Sequence, residues 1–248
     1  MSRLIRSELL KLRTTRTFLG ITLAALGLIA LIAGAGAAAG SWGADDPSPG
    51  RDLLEVGGLA QLFALVLGVL SVSTEFRHGT ITPSLLTVPR RAQLVLAKLA
   101  AHGVAGLVLG LVAYGLAALL VFPILSARDV SSGVSLGTAV ELIAGGLVCV
   151  TLLAAIGVGV GAIVRNQVGA VMVALGWWIV VEPLLATIPK VGDSIAKYGI
   201  DGAVNAASAS SVADPELGQL AGGLLLVAYA AIFAAAGIAV LKQRDVTG

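Results

Sequence analysis

Few residues of this chain could do chemistry, and several of them lie in one short charged segment. Glu75-Phe76-Arg77-His78-Gly79-Thr80-Ile81 places an acid, a base and a histidine close together. A second candidate is Glu182, the single Asp, Glu, Lys or Arg residue within six long apolar runs. An ionisable residue in such a setting is a functional hypothesis by default. Pro183 follows it and can kink the helix, which frees backbone carbonyls.

Motifs of known enzymes give no support for catalysis. Gly133-Val-Ser135-Leu-Gly137 matches the nucleophile-elbow pattern, but the elbow needs a strand, a turn, a helix and a nearby histidine. No lysine is followed by Ser or Thr, so the phosphate-binding loop of ATPases is not encoded. The histidines, cysteine and acids show no zinc-ligand spacing. We therefore expect a chain that is not an enzyme and holds no metal or cofactor.

The elements that position these residues are membrane helices. A helix needs about 20 residues to cross a hydrocarbon core of about 30 Å, and six runs reach or approach that length. Hydrophobic residues make up 57% of the chain and charged residues 12%, against about 25% charged in soluble domains. The sequence predicts one all-α polytopic membrane domain over residues 1–248 with spans at 18–40, 56–74, 99–125, 142–164, 166–188 and 217–241.

The distribution of basic residues predicts the orientation of the spans. With a cytoplasmic N-terminus, 12 of the 16 Lys and Arg residues lie in cytoplasmic segments. The four predicted to be external are Arg51, Arg128, Lys190 and Lys197. This is a strong positive-inside bias, so both termini are predicted to be cytoplasmic. The fourth span contains the single cysteine, Cys149, so no intrachain disulfide forms and the redox compartment stays open.

Two predicted cytoplasmic segments contain more features than simple connections need. Residues 1–17 form an amphipathic interfacial helix in which Ile5, Leu9 and Leu12 share one arc, although Leu10 interrupts the polar face. Its basic residues should attract anionic lipid, and it is either a topology anchor or also a partner contact. Residues 75–98 contain Thr82-Pro83, a good start for a short helix, and Pro89, which ends it.

These segments carry a resemblance to a known family. Three segments resemble the membrane subunits of type-2 ATP-binding-cassette (ABC-2) exporters, actinobacterial-looking ones. They are the leader Arg-Ser-Glu-Leu-Leu-Lys-Leu-Arg-Thr-Thr-Arg at 6–16, the segment from Glu75 to Ile81, and Leu85-Leu86-Thr-Val-Pro-Arg-Arg91 followed by Leu96-Ala-Lys-Leu99. In that family the leader and the coupling helix between the second and third spans contact a nucleotide-binding subunit.

The resemblance implies partners and site residues. ATP and magnesium would be bound by a separate ATPase subunit, and a second permease copy or a homologue would complete the translocation path. Membrane lipid is a further partner, and nucleic acid is not one. The implied ATPase contacts are Glu75, Arg77, His78, Thr80, Pro83, Leu85, Leu86, Arg90 and Arg91, with Arg165 in a smaller second contact. Glu75 should also reach a basic residue of the leader.

The implied function is ATP-driven export of a drug, antibiotic, peptide or lipid-like molecule across a prokaryotic plasma membrane. A secondary transporter that uses Glu182 as an ion relay, and a non-transporting scaffold or immunity protein, are the alternatives. Counted from Gln167, Glu182 lies about 22 Å along its helix, so it could instead be solvated or paired near the outer interface. Residues 189–216 are predicted to form an external loop or a re-entrant segment.

Overall fold

The computed structural model describes residues 1–42, 48–80, 91–164, 166–210 and 217–243, which form helices and no strands. The α-helices in these ranges are α1 Ser2–Thr14, α2 Arg16–Ala39, α3 Pro49–Glu55, α4 Ala60–Arg77, α5 Arg91–Ala127, α6 Leu136–Ile163, α7 Gln167–Gly176, α8 Glu182–Ala186, α9 Gly192–Tyr198, α10 Ile200–Ala207 and α11 Gln219–Gln243. A 3-10 turn, Val56–Leu59, joins α3 to α4, and a π-helical turn, Trp177–Val181, joins α7 to α8.

Six helices in the described ranges are long and apolar enough to cross a membrane, which confirms the predicted all-α polytopic fold. They are Arg16–Ala39, Pro49–Arg77, Ala92–Ala127, Leu136–Ile163, Gln167–Ala186 and Gln219–Gln243. In the fifth of them the π-helical turn comes directly before Glu182 and Pro183. Proline has no N–H to continue the helical hydrogen bonds, so an irregular turn is expected there.

The second and third spans begin earlier than the apolar pattern predicts. The helix of the third span starts at Arg91 and not at residue 99, so the last part of the predicted coupling segment belongs to it. Leu94, Val95 and Ala97 are buried, and their packing favours helix before the apolar run begins. The second span starts at Pro49, a residue that suits a first helical turn.

Close backbone contacts hold α6 at the centre of the bundle. A Cβ atom on Gly157 would collide with the carbonyl oxygen of Leu65 in α4, and one on Gly68 with that of Ala154. Glycine removes the side chain that would keep these helices apart. A Cβ atom on Gly106 would lie 3.0 Å from the carbonyl oxygen of Val150 in α6, which is also a tight contact. Gly106-Leu-Val-Leu-Gly110 and Gly157-Val-Gly-Val-Gly161, two runs with glycines four residues apart, therefore supply packing contacts within one chain.

Both ends of the described chain lie at one end of the bundle, here called the leader face. α1 packs against the start of α5, and Leu241 of α11 is buried with Val72 and Val95. The opposite end, here called the hairpin face, carries α3 and the pair α9–α10. Six spans leave the two ends of the described chain on the same side, and the cytoplasmic location of the leader face stays a prediction.

Residues 192–207 form two short helices that pack between α6 and α11. Val204 accepts a hydrogen bond from the Cys149 thiol at 3.6 Å, and Tyr229 donates one to the carbonyl oxygen of Tyr198 at 2.7 Å. Cys149 lies well inside α6, about 20 Å from its first residue. α10 therefore packs against two of the spans, α6 and α11, and the re-entrant form of residues 189–216 stays a prediction.

Candidate functional site

The charged segment after the second span begins with a tightly capped helix end. Gly79 has a φ of +67°, and Thr80 N–H donates to the Glu75 carbonyl at 3.0 Å while Gly79 N–H donates to Phe76 at 3.3 Å. These are the two hydrogen bonds of a Schellman motif, which needs a left-handed residue, usually glycine, just past the helix. The cap fixes the direction in which the chain leaves α4 towards residues 81–90.

Glu75 lies in the last turn of α4 and is part of a buried set of charges. Lys98 of α5 donates from Nζ to Glu75 Oε1 at 2.8 Å, to Glu8 Oε2 at 2.8 Å and to the Ser71 carbonyl at 3.0 Å. An ammonium group has three donors, so each hydrogen of Lys98 has an acceptor. Lys98 is 2% exposed, Glu8 4% and Glu75 9%. One lysine thus joins three helices.

Lys11 of the leader completes this set. Its Nζ lies 2.6 Å from Glu8 Oε1 and 3.0 Å from Glu75 Oε1. The prediction that Glu75 reaches a basic residue of the leader is confirmed. Glu8, Lys11, Glu75 and Lys98 are called the ionic cluster below. Its two acids and two lysines balance in charge, which offsets the cost of burying Glu8, Glu75 and Lys98.

The leader helix contributes to the ionic cluster because its inward face contains one acid, Glu8, among apolar residues. Ile5, Leu9 and Leu12 are half-buried, and Glu8 lies among them as the one buried residue of α1. Burial opposes ionisation of Glu8, but Lys98 and Lys11 outweigh it and hold the pKa of this carboxyl below its usual value. Burial likewise opposes the charge of Lys11, but Glu8 and Glu75 raise its pKa. The two directions of pKa shift favour the charged forms of Glu8 and Lys11, the two members of the cluster that belong to the leader.

A cavity of about 140 Å³ adjoins the ionic cluster and is lined by Glu8, Lys11, Glu75, Lys98 and His102, among others. The Nδ1 atom of His102 lies 2.9 Å from the Lys98 carbonyl, so it must carry the proton and donate. His102 Nε2 and Glu75 Oε2 are buried acceptors with no partner in the described part of the chain. Polar cavities of this kind commonly hold water. No set of side chains in the described ranges has the geometry of a metal site.

The remaining predicted contact residues are partly described. Arg77 Nη1 donates to Gln167 Oε1 at 3.0 Å, which joins the end of α4 to the first residue of α7. The two segments predicted to contact a partner thus meet at the leader face. His78 and Thr80 are exposed beside this link. Arg91 is the first residue of α5. Five of the predicted contact residues lie outside the described ranges, namely Pro83, Leu85, Leu86, Arg90 and Arg165.

Glu182 lies far from this cluster, towards the hairpin face. It is 3% exposed, and its Oε1 accepts the backbone N–H of Asp201 at 2.6 Å. Asp201 in turn accepts a hydrogen bond from Trp178 Nε1 at 3.0 Å. The carboxylate therefore caps the first turn of α10, a favourable position for a negative charge. Glu182 joins α10 to the fifth span.

A larger cavity of about 650 Å³ lies beside this connection. Its lining includes Asp52, Glu55, Trp178, Pro183 and Asp201, with apolar walls from the first, second and fifth spans, but not Glu182. The structure therefore places Glu182 behind the cavity wall and not on its surface. This position fits the interpretation of Glu182 as a paired residue better than its interpretation as a residue of a translocation path.

Sequence reasoning missed three residues of the candidate site: Glu8, Lys98 and His102. Glu8 falls on the arc of Ile5, Leu9 and Leu12, but a single acid in a basic leader gives no sign by itself of a buried role. A lone lysine before an apolar run usually extends to the membrane interface, so Lys98 gives no sign by itself of a buried ion pair. The signal that could have found it is the continuous helical pattern from residue 91 onward, which places Lys98 and His102 one turn apart on one face.

Comparison with known protein families shows the family of this chain. The family model described as "ABC-2 family transporter protein" matches residues 4–180. The chain belongs to the ABC-2 family of transporter proteins. The match includes all members of the ionic cluster and ends just before Glu182. No curated protein is significantly similar to this ABC-2 permease.

Proposed function

We propose that this ABC-2 permease is the membrane subunit of an ATP-driven exporter, whose ATP and magnesium are bound by a separate ATPase chain. Two copies, or one copy and a homologue, would form the path for a drug, antibiotic, peptide or lipid-like substrate. The observation that carries this proposal is the ionic cluster, which joins the leader helix to α4 and α5. Two of its members flank residues 81–90, the segment in which the family has its coupling helix: Glu75 precedes this segment and Lys98 follows it.

The cluster suits a coupling role because it makes three helices move together. A push on the leader or on the segment after α4 reaches Lys98 through contacts of 2.6–3.0 Å. Lys98 lies on the same helix that crosses the membrane up to Ala127. Packed ion pairs of this kind resist gradual deformation, so displacement of the partner would be transmitted as displacement of the third span.

The proposed orientation puts the leader face in the cytoplasm of a prokaryotic cell, where the ATPase has access to ATP. The positive-inside bias supports it. A reporter fused after Gly248 should then be cytoplasmic, and one inserted between residues 41 and 55 should be external. A cytoplasmic location of Trp42 would overturn the six-span topology. An actinobacterial source stays a prediction.

The secondary-transporter alternative has less support. It requires Glu182 to be reached from a path, and the carboxylate caps α10 behind the wall of the nearby cavity. A scaffold or immunity protein needs no coupling apparatus, and the ionic cluster would then only fix the leader. We therefore keep export as the proposed function.

The test is reconstitution with an ATP-binding-cassette ATPase from the same organism. Co-purification and phosphate release are measured with wild-type permease and with Leu85→Asp combined with Leu86→Asp. We expect the wild type to bind the ATPase and raise its rate with substrate, and the double variant to insert but lose both effects. Glu141→Ala, an exposed acid at the hairpin face, is the control. A wild-type permease that neither binds an ATPase nor changes its rate would refute the proposal.

A further inference from the structure

A second concavity at the leader face is separate from the ionic cluster. It is a groove of about 590 Å³ between α1, α2 and α5, and it opens on the flank of the leader helix away from Glu75. Leu10 lies in it and is 62% exposed. An apolar residue that interrupts the polar face of an amphipathic helix is unexplained if that face only meets water. The groove gives Leu10 an apolar environment once something fills it.

The wall contributed by α1 is a regular stripe. Arg6, Leu9, Leu10 and Arg13 line the groove, and their spacing of three, one and three residues places them on one helix face. The two leucines lie in the middle and the two arginines at the ends. Arg6 and Arg13 are about 10 Å apart along the axis, and long side chains can meet between them. Neither arginine has an acidic partner within the described residues.

The walls contributed by the spans are apolar and run inward from these arginines. Phe18 and Leu26 line one side, and Val108 and Val112 line the other. Leu26 lies ten residues beyond Arg16, about 15 Å along the helix, which is half of a hydrocarbon core of about 30 Å. Thr22 lies between them, and its Oγ1 is buried with no partner in the described part of the chain. The groove therefore has one leaflet's depth and a polar atom part-way along.

We propose that this groove binds one anionic glycerophospholipid of the leaflet next to the leader face. Arg6 and Arg13 hold the phosphate, because guanidinium groups form strong charge-assisted hydrogen bonds with phosphate oxygens. The Thr22 hydroxyl donates to an ester oxygen near the glycerol, and an acyl chain lies between Phe18, Leu26 and Val108. The two charges match an anionic headgroup, and a zwitterionic headgroup would neutralise them less well.

Binding of this lipid has a consequence for the leader. The opposite flank of the same helix carries Glu8 and Lys11, which join the ionic cluster. A lipid on one flank and the cluster on the other hold α1 from both sides. The lipid should therefore steady the position of α1 whether or not the permease works with an ATPase.

The experiment is native mass spectrometry of the purified permease after exchange into mixtures of dioleoylphosphatidylglycerol and dioleoylphosphatidylcholine. The two lipids share their acyl chains, so the headgroup alone differs. We expect one retained phosphatidylglycerol per chain, and about 30-fold weaker retention in the double variant Arg6→Ala with Arg13→Ala. Arg6→Lys with Arg13→Lys keeps the charge and should retain most of the binding.

Matched controls separate this site from general surface attraction. Arg3→Ala with Arg16→Ala removes the same charge from exposed positions outside the groove and should leave retention unchanged. Val108→Trp should fill the groove and displace the lipid, whereas Leu111→Trp, on the lipid-facing surface of the same helix, should not. Thermal unfolding of each variant confirms that it is folded.

Three outcomes would overturn the proposal. Equal loss of lipid in both arginine pairs would mean surface attraction without a site. Equal retention of both lipids would mean a groove that ignores the headgroup. A dimer that Val108→Trp disrupts, with no lipid bound to the wild type, would mean that a second copy of the chain fills the groove.

Discussion

Replacing Lys98 by Met should detach the leader helix from the bundle. The side chains have similar length, so the change removes the charge and three hydrogen bonds with little change in packing. Glu8 and Glu75 would then be two buried carboxylates with Lys11 as their one cation. Breaking a buried ion pair by removing one partner costs about 3–5 kcal/mol. The cost falls on the contact between α1, α4 and α5.

The free-energy cost of losing Lys98 can be compared with the cost of losing Lys11, the other lysine of the ionic cluster. Lys11 binds the same two acids, but its side chain is 48% exposed, so water replaces much of what it provides. Exposed pairs contribute about 0.2–1 kcal/mol. Lys11→Met should therefore cost several-fold less than Lys98→Met, although each removes one lysine from the cluster. Lys242→Met, an exposed lysine near the end of α11, should cost almost nothing.

Amide hydrogen exchange of α1 measures this difference directly. A loss of about 3 kcal/mol in docking should speed exchange in residues 2–14 by a factor of about 100 or more in Lys98→Met. Exchange in α6 should change little, because it lies at the centre of the bundle. If α1 exchanges at the same rate in Lys98→Met and Lys242→Met, the leader is not held by the ionic cluster and the reasoning is refuted.

Three further predictions follow from the contacts. The pKa of Glu8 is lowered in the folded state, so its contribution to leader docking is complete above the usual carboxyl pKa and is lost as pH falls through the lower folded value. The pKa of Lys11 is raised, so its contribution is complete below the usual lysine pKa and is lost as pH rises through the higher folded value. Thermal unfolding measured across pH should therefore show a plateau of stability around neutral pH. Glu182→Gln keeps an acceptor for the backbone N–H of Asp201 and should leave the free energy of unfolding unchanged. Glu182→Leu should lower it by about 1–3 kcal/mol, measured by chemical denaturation. Equal losses in the two variants would contradict the capping role. Gly157→Ala should destabilise the permease by about 1–3 kcal/mol or more in the same assay, while Gly20→Ala, where a Cβ meets open space, should not.

The fold was predictable because the membrane spans are long and apolar, and because few alternatives exist for such runs in lipid. Their ends were less predictable. Hydropathy marks where apolar residues begin, but a helix continues as long as its side chains pack or pair. This is why α5 reaches back to Arg91 and contains Lys98. The same reasoning applies to Pro49 to Glu55 at the start of the second span.

In the candidate site, the role of Glu75 was predictable from the sequence and that of Lys98 was not. Glu75 follows an uncharged span directly, so its need for a cation from the leader could be argued from solvation alone. Lys98 could not be assigned in this way, because a lysine at a span end can equally extend to water. Only tertiary packing decides whether its ammonium group is buried or solvated. The role of Glu182 also depended on the fold, since Asp201 is 19 residues away in sequence and no local pattern links the two.

The central claim is that the ionic cluster couples the permease to its ATPase, and phosphate release by the reconstituted complex with Glu75→Ala tests it most directly. Insertion and ATPase co-purification are measured in parallel, with Glu141→Ala as the matched loss of an exposed acid. The account predicts that Glu75→Ala inserts into the membrane but loses substrate-stimulated ATP hydrolysis, while Glu141→Ala keeps it. Substrate stimulation of equal size in both variants would contradict the account.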